Sequence, residues 1–223
     1  NYLCAAGVTF MFLVSLNKYL RLINWFKEKK IQEPNLIEYL DLVSLGTVCD
    51  VVPLTGLNRA IVKQGLKIIN LKKNLGLKTL IDICQIESKT STYHLGYIIG
   101  PRINAGGRVG KCSHGANLLL NDSAKESFKI AAELEKFNTE RKKLEKDLLN
   151  VVLNTLNKST NDPVLILQGK NWHEGIIGII ASRIKDKFNK PTIIISLNKN
   201  IGKASARSVV GFDMGAAILA ALQ

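Results

Sequence analysis

Residues 164–197 read VLILQGKNWHEGIIGIIASRIKDKFNKPTIIISL and decide the fold class of this chain. The apolar run at 164–167 predicts a short buried strand, residues 175–188 have helical periodicity, and residues 191–197 predict a second strand. A strand, a crossover helix and a second strand imply a parallel pair with a right-handed connection. The sequence therefore predicts an α/β fold in this part of the chain.

The residues before this unit are predicted to be mainly helical. Ser123 and Glu126 form a capping-box pattern at the start of a long helix over residues 124–157. That helix is charged in its middle and apolar at its ends, a pattern typical of a connector between two lobes. The alternative is a pair of surface helices with a turn near Asn138. Further helices are expected at residues 5–27, 34–45, 59–70 with Asn58 as N-cap, 77–85, 116–120 and 212–222.

The chain has 223 residues, 46% of them apolar and 22% charged, which excludes a wholly disordered or collagen-like protein. Lys and Arg number 31 against 18 Asp and Glu, a net charge of +13. This excess favours a polyanionic partner, either nucleic acid or an anionic membrane face. A Lys-rich composition inherited from an AT-rich genome explains the excess equally well.

The four cysteines have no C-x-x-C spacing, which argues against a zinc knuckle, and their scatter is typical of reduced thiols in a cytoplasmic protein. The most apolar stretch, residues 3–16, is too short to cross a membrane, and no basic segment precedes it as in a signal peptide. We therefore expect a cytoplasmic protein without a membrane association. The first residue is not Met, so the chain is expected to be part of a longer polypeptide.

Asp50 is the first candidate functional residue, because it is the only acid in the apolar run at 47–54. A buried carboxylate costs several kcal/mol unless it is paired or bound to a metal. Hard cations such as Mg²⁺ and Mn²⁺ prefer such oxygen ligands. A helix cap or a partner for Arg59 explains the residue equally well.

A Gly-rich stretch at residues 94–115 contains three further candidates: Arg102, Asn104 and Arg108. Adjacent glycines let backbone N–H groups approach an anion, and guanidinium groups suit phosphate. We expect an ordered functional loop or a tight turn between helices here. The alternative is a turn with solvated arginines.

The remaining candidates follow the two predicted strands. His173 and Gly175 lie where a helix opens, which favours an anion, although a histidine there is also a common capping residue. Ser205, Arg207 and Ser208 follow the second strand and would converge at the carboxyl edge of a parallel sheet, where α/β proteins bind ligands. A polar turn is the alternative for these three residues.

Along nearly its whole length the chain resembles the bacterial RecJ nucleases of the DHH phosphoesterase superfamily. In chain order, the resemblance is carried by LVSLGTVCDVVPLTGLNRAIVKQGL, GPRINAGGRVG, LEKFNTERKKLE, WHEGIIGIIASRIKDKF with PTIIIS, and KASARSVVGFDM. The family's Asp-His-His motif, its D-x-D strand and its closing Gly-Gly-His motif are absent, so the chain looks like the middle of such a protein. Cys49 and Gly106 stand where the family usually has alanine.

The resemblance implies a fold and a division of the chain. Residues 1–121 would be the end of a DHH-type catalytic lobe, residues 122–158 a long connector helix, and residues 159–223 the start of a DHHA1-type α/β substrate-binding lobe. Enzymes of this family degrade single-stranded DNA from the 5′ end with two Mn²⁺ or Mg²⁺ ions. Of their metal ligands, only Asp50 has a counterpart here. The implied phosphate-binding and strand-binding residues are Arg102, Asn104, Arg108, His173, Gly175, Ser205, Arg207 and Ser208.

One aspartate cannot hold two dications, so we expect no nuclease activity from this polypeptide alone. The implied partners are single-stranded DNA and a polypeptide that carries the missing catalytic half. Two alternatives stay open: a non-catalytic single-strand-binding protein derived from this family, and another DHH-type phosphoesterase that acts on short oligonucleotides or cyclic dinucleotides.

Overall fold

The computed structural model describes residues 2–156 and 162–222, and the chain divides into two compact units. Unit 1 comprises Asn1–Asn104 and Ser113–Glu135, and unit 2 comprises Ala105–Cys112 and Lys136–Gln223. The predicted helix end at residue 157, the boundary after residue 158 and most of the predicted loop at 158–163 lie outside the described residues.

The regular elements of unit 1 are all helices in the residues described. Asn74 illustrates how its helices start, since its side chain accepts a hydrogen bond from the N–H of Leu77, 2.9 Å away. The helices in chain order are α1 (Ala5–Leu22), α2 (Trp25–Lys29), a 3₁₀ turn (Leu36–Tyr39), α3 (Leu40–Cys49), α4 (Gly56–Asn70), α5 (Leu75–Ile83), a π-helical segment (His94–Ile99), α6 (Gly100–Val109), α7 (His114–Leu119) and α8 (Ala124–Leu156). The last residues of α6 and the second part of α8 belong to unit 2.

The core of unit 1 is built from the apolar faces of these helices. Its largest buried side chains are Leu77, Leu80, Ile81, Leu95, Ile99, Leu118 and Leu134. Helix α4 approaches α3 closely at Gly65, where a Cβ atom would overlap Ser44 and the carbonyl oxygen of Leu40. The Ser44 hydroxyl of α3 donates to the carbonyl oxygen of Ile61 in α4, 3.2 Å away, so a hydrogen bond also joins the two helices.

Unit 2 contains the predicted strand–helix–strand arrangement. Its elements are β1 (Leu165–Lys170), α9 (Glu174–Phe188), β2 (Thr192–Asn198), β3 (Ile201–Arg207) and α10 (Met214–Ala221). The sheet order is β1-β2-β3, with β1 parallel to β2 and β3 antiparallel to β2. Buried residues of α8, including Val152, pack with Ile176 and Ile180 of α9 and Ile194 of β2 in one core. The α/β fold class is confirmed.

The prediction of a loop or tight turn at residues 94–115 is wrong. Most of this stretch is helical, in the π-helical segment, α6 and the start of α7. The π-helical segment runs directly into α6, so Pro101 lies inside a continuous helical stretch, and Ala105 and Gly106 are buried. Tertiary packing therefore overrides the low helix propensity of these glycines.

Smaller expectations are corrected as well. The predicted helix at 5–27 is interrupted after Leu22, and α3 continues through Gly46. Asn58 is not an N-cap but a buried residue inside α4, where its Nδ2 donates to the carbonyl oxygens of Tyr2 and Pro53. Ser205 and Arg207 lie in the last residues of β3 and not in a turn. They are also not at the carboxyl edge of the parallel strands, because the antiparallel register pairs Arg207 with Thr192, the first residue of β2. By contrast, α8 is one continuous helix, so the alternative turn near Asn138 is wrong.

None of the helices in the described ranges is long and apolar enough to cross a membrane.

Candidate nucleic-acid interface

His173 caps the N-terminus of α9. Its Nδ1 accepts a hydrogen bond from the N–H of Gly175, 3.1 Å away. Because an accepting Nδ1 carries no proton, the ring proton of the neutral side chain lies on Nε2. The side chain is exposed, so the capping role leaves a donor at Nε2 for a ligand near the start of the helix.

Gly175 allows Arg108 to approach the first turn of α9. A Cβ atom at this position would overlap the carbonyl oxygen of Arg108. The Nη1 atom of Arg108 donates to the carbonyl oxygen of Gly175, 3.1 Å away. The guanidinium group is thereby held beside the N-terminus of α9, as an anion-binding role requires.

One turn further along α9, Gly178 contacts the end of β3. A Cβ atom built on Gly178 would lie 3.1 Å from Ser205 Oγ and 3.3 Å from Arg207 Nη2. Arg207 Nη1 donates to Ser205 Oγ, 3.3 Å away, and to the carbonyl oxygen of Ala206, 2.7 Å away. Since residues three apart share a helix face, Arg108, Ser205 and Arg207 adjoin one face of α9.

The remaining candidate of this segment, Ser208, is engaged differently. Its hydroxyl donates to the carbonyl oxygen of Phe212, 2.5 Å away, and lies 3.3 Å from that of Val209. The hydroxyl proton therefore stabilises the turn that leads to α10. We define the phosphate-site cluster as Arg108, His173, Gly175, Ser205 and Arg207.

The electrostatics of this cluster favour an anion. Burial lowers the pKa of the Arg108 guanidinium, and the positive charges of Arg141 and Arg207 lower it further, while Glu145 opposes them. Unit 2 as a whole has 16 Lys and Arg against 7 Asp and Glu, a net charge of +9 out of the chain's +13. A phosphate group beside Arg108 would relieve the repulsion between these arginines.

A buried polar group on α8 supports the cluster and was missed by the sequence reasoning. Arg141 pairs with the nearly buried Glu145 at 2.8 Å, and Arg183 of α9 pairs with the same carboxylate. Asn138 Oδ1 accepts from Arg141 Nη2 at 3.2 Å, and Asn138 is fully buried. The sequence did contain a signal. Asn138, Arg141 and Glu145 follow Leu134 at the three- and four-residue steps of the buried helix face, and a core helix usually has aliphatic residues at such positions.

Asp50 ends α3 and is exposed, so the desolvation argument that singled it out is wrong. Its N–H donates to the carbonyl oxygen of Gly46, 3.0 Å away, and within the described residues it forms no ion pair with Arg59. Asp50 and Asn104 share the lining of one hollow of about 370 Å³. The other lining residues are Cys4, Ala5, Ala6, Gly46 and Cys49.

The residues around Asp50 do not fit a two-metal centre by themselves. Burial raises the pKa of the Cys49 thiol to about 11, so it is protonated at neutral pH and a poor metal ligand. Across the described residues, no group of three or more His, Cys, Asp and Glu side chains is placed to hold a metal ion. Asp50 would supply at most one ligand residue to such a site.

Arg102 has a structural setting within unit 1. Its Nε pairs with Glu135, and its Nη1 donates to the carbonyl oxygen of Ile98, 2.8 Å away. Most of the side chain is buried, so these partners occupy the guanidinium group. The described contacts therefore hold Arg102 within unit 1, where both of its partners lie.

Comparison with known proteins gives consistent matches. A DHHA1 domain matches residues 161–223. The Escherichia coli single-stranded-DNA-specific exonuclease RecJ is 38% identical over 220 residues, which are 95% of this chain and 38% of that protein. The Thermus thermophilus RecJ is 32% identical over 204 residues, 92% of this chain and 28% of that protein.

Solved structures agree with these relatives. The crystal structure of Thermus thermophilus RecJ in complex with Mg²⁺ matches with a TM-score of 0.74 at 30% identity, covering 88% of this chain and 30% of that one. An exonuclease RecJ bound to manganese matches with a TM-score of 0.72 at 30% identity, covering 87% of this chain and 48% of that one. The chain is thus similar to bacterial RecJ over nearly its whole length, spans about two fifths of the length of its Escherichia coli relative, and matches the DHHA1 domain at residues 161–223.

Proposed function

We propose that this chain supplies the strand-binding part of a RecJ-like exonuclease that degrades single-stranded DNA from its 5′ end. The observation that carries the proposal is the gathering of Arg108, His173, Ser205 and Arg207 at the first turns of α9. The relatives named above as single-stranded-DNA-specific exonucleases support the choice of polymer. Such a role would place the chain beside DNA in the cytoplasm.

The cluster presents only groups that suit a phosphate. Two guanidinium groups, a serine hydroxyl and the Nε2 proton of His173 can each donate to phosphate oxygens, and the N-terminus of α9 adds its dipole. We expect these donors to contact the sugar-phosphate backbone and not the base edges. We therefore expect binding that depends on salt and is nearly independent of DNA sequence.

The proposal assigns strand binding, not bond cleavage, to the described residues. The other ligands of a Mn²⁺ or Mg²⁺ pair would have to come from a polypeptide that carries the Asp-His-His motif, with Asp50 contributing one ligand. The division of labour that follows is a catalytic part over residues 1–121, a connector over 122–158 and a DHHA1-type strand-binding part over 159–223. Arg102, Asn104 and Ser208 would shape these parts rather than hold phosphate directly.

Binding is tested by the fluorescence anisotropy of a labelled oligothymidylate. Arg207→Ala should weaken binding about 10- to 100-fold, because a hydrogen bond to a charged group contributes about 1.5–3 kcal/mol. The slope of log K against log salt should fall by about 0.7 for the lost phosphate contact. Lys187→Ala is the matched control, since it removes one charge at the other end of α9. Equal losses in both variants would show that only net charge matters and would refute the cluster as the site.

A second candidate, a non-catalytic single-strand-binding protein, is favoured by one observation, the lack of a metal-ligand group among the described residues. Mixing the chain with the Asp-His-His half of a RecJ and Mn²⁺ separates the two functions. Release of mononucleotides supports the exonuclease, whereas binding without release supports the second candidate. Displacement of the oligothymidylate by cyclic dinucleotides at lower concentration would contradict both.

A further inference from the structure

Unit 1 carries an exposed aromatic pair that the phosphate-site cluster does not use. The rings of Tyr93 and Tyr97 are stacked, with centroids 5.2 Å apart and an interplanar angle of 30°. The two side chains are 60% and 74% exposed, respectively. Tyr97 lies in the π-helical segment (His94–Ile99), and Tyr93 immediately precedes it. Such π-helical turns are rare in proteins, and those that occur are often at functional sites.

The tyrosine pair lines a hollow of ligand size. The hollow has a volume of about 390 Å³. That volume falls within the range of small-molecule sites, about 300–1,000 Å³. Besides the two tyrosines, the hollow is lined by Val48, Cys49, Val51, Val52, Leu54, Thr92 and Gly96. We call this surface, with the tyrosine pair, the aromatic hollow.

Val51 gives the aromatic hollow a second unusual feature. Its φ angle is +55°, in the left-handed region that a β-branched residue rarely adopts, and its side chain is 86% exposed. This side chain lines the hollow and is not packed into the core of unit 1. Backbone strain of this kind clusters at binding and catalytic sites. Val51 also directly follows Asp50, the one residue proposed here as a metal ligand.

We infer that the aromatic hollow is a stacking site for a base of single-stranded DNA. This inference rests on the proposed function, because it takes the polymer from there. Exposed parallel aromatic rings are the usual means by which proteins hold bases without regard to sequence. A polypeptide that covers this surface is the alternative occupant, and the experiments separate the two. The inferred base contact involves residues of unit 1 alone.

The test compares normal and abasic oligonucleotides of equal length and charge by fluorescence anisotropy. The double variant Tyr93→Ala/Tyr97→Ala should bind oligothymidylate about tenfold more weakly or worse, as expected for lost base stacking. It should bind the abasic oligonucleotide as the unaltered chain does. Tyr93→Phe/Tyr97→Phe should restore binding, because the rings remain. Tyr19→Ala/Tyr39→Ala is the matched control, since both tyrosines are exposed and lie outside the hollow.

Photocrosslinking of the unaltered chain with 5-iodouracil DNA tests the same contact without any substitution. Adducts on Tyr93 or Tyr97 are expected, and adducts confined to other residues would overturn the inference. Unchanged oligothymidylate affinity in the double alanine variant would also overturn it. If that variant keeps its affinity for DNA but no longer binds the Asp-His-His half of a RecJ, the surface binds polypeptide and the inference is wrong. In each case Arg207→Ala reports separately on the proposed function.

Discussion

Replacing Val51 by glycine should stabilise unit 1, although it removes an apolar side chain. Val51 follows the C-cap of α3 in a Schellman arrangement. Its N–H donates to the carbonyl oxygen of Val48, 3.1 Å away, and the N–H of Val52 donates to the carbonyl oxygen of Thr47, 3.2 Å away. The residue at this position adopts a left-handed conformation and is usually glycine. Of the described non-glycine residues with positive φ, Val51 is the only β-branched one.

The magnitude follows from two opposing terms. A left-handed conformation costs an L-residue roughly 1–2 kcal/mol. Glycine in turn loses about 0.5–1 kcal/mol more than alanine in backbone entropy on folding. Because the Val51 side chain is so exposed, its removal loses little buried apolar surface. The net expectation for Val51→Gly is a gain of about 1 kcal/mol in the free energy of unfolding.

Urea denaturation followed by the fluorescence of Trp25 measures this gain, with Trp172→Phe present in every variant so that unit 1 alone is reported. With a slope of about 2 kcal/mol per molar urea, the midpoint should rise by about 0.5 M. Val52→Gly is the control, because Val52 is half-buried and has no positive φ, and its midpoint should fall. A midpoint for Val51→Gly at or below that of the unaltered chain would refute the assignment of strain.

Two further predictions concern buried carboxyl groups. Glu145→Gln should destabilise unit 2 by about 3 kcal/mol in urea denaturation, because it leaves the nearly buried Arg141 without its counter-charge, whereas the exposed Glu140→Gln should change stability by less than about 0.5 kcal/mol. Burial raises the pKa of Asp41 above its ordinary 3.8, so the folded state retains a proton that the unfolded state has released. Stability should therefore decline as the pH rises from that value, and Asp41→Asn should remove this part of the decline; a parallel pH profile for the variant would contradict the assignment.

The strand–helix–strand unit was predictable because its local signals agree with its packing. Its apolar runs are short, one has a Pro at its start, and the helix between them has a continuous buried stripe, including Ile177 and Ile184. The third strand was not predictable in the same way. Residues 201–207 pair only with β2 and expose most of their side chains, so they carry little of the apolar alternation that predicts a strand.

The helical nature of residues 100–109 was hidden by composition. Glycine, proline and arginine dominate there, and each is common in loops. The helix forms because Ala105 and Gly106 are buried against neighbouring elements, a tertiary effect that no local pattern contains. The same limitation applies to the sites, since sequence spacing did not reveal that Arg108 would meet Gly175, which is 67 residues away.

The run at residues 47–54 shows how an apolar pattern can mislead about burial. Its apolar residues suggested a buried segment, in which the carboxylate of Asp50 would carry a high free-energy cost. In the structure Asp50 is exposed, and Val51 is more exposed than either tyrosine of the aromatic hollow. Apolar residues need not be buried, and an exposed apolar patch is itself a signal of binding. If bases occupy the aromatic hollow, Val51→Gly should gain stability and lose oligothymidylate affinity together, because the strained side chain is then retained for its contact with DNA and not for the fold.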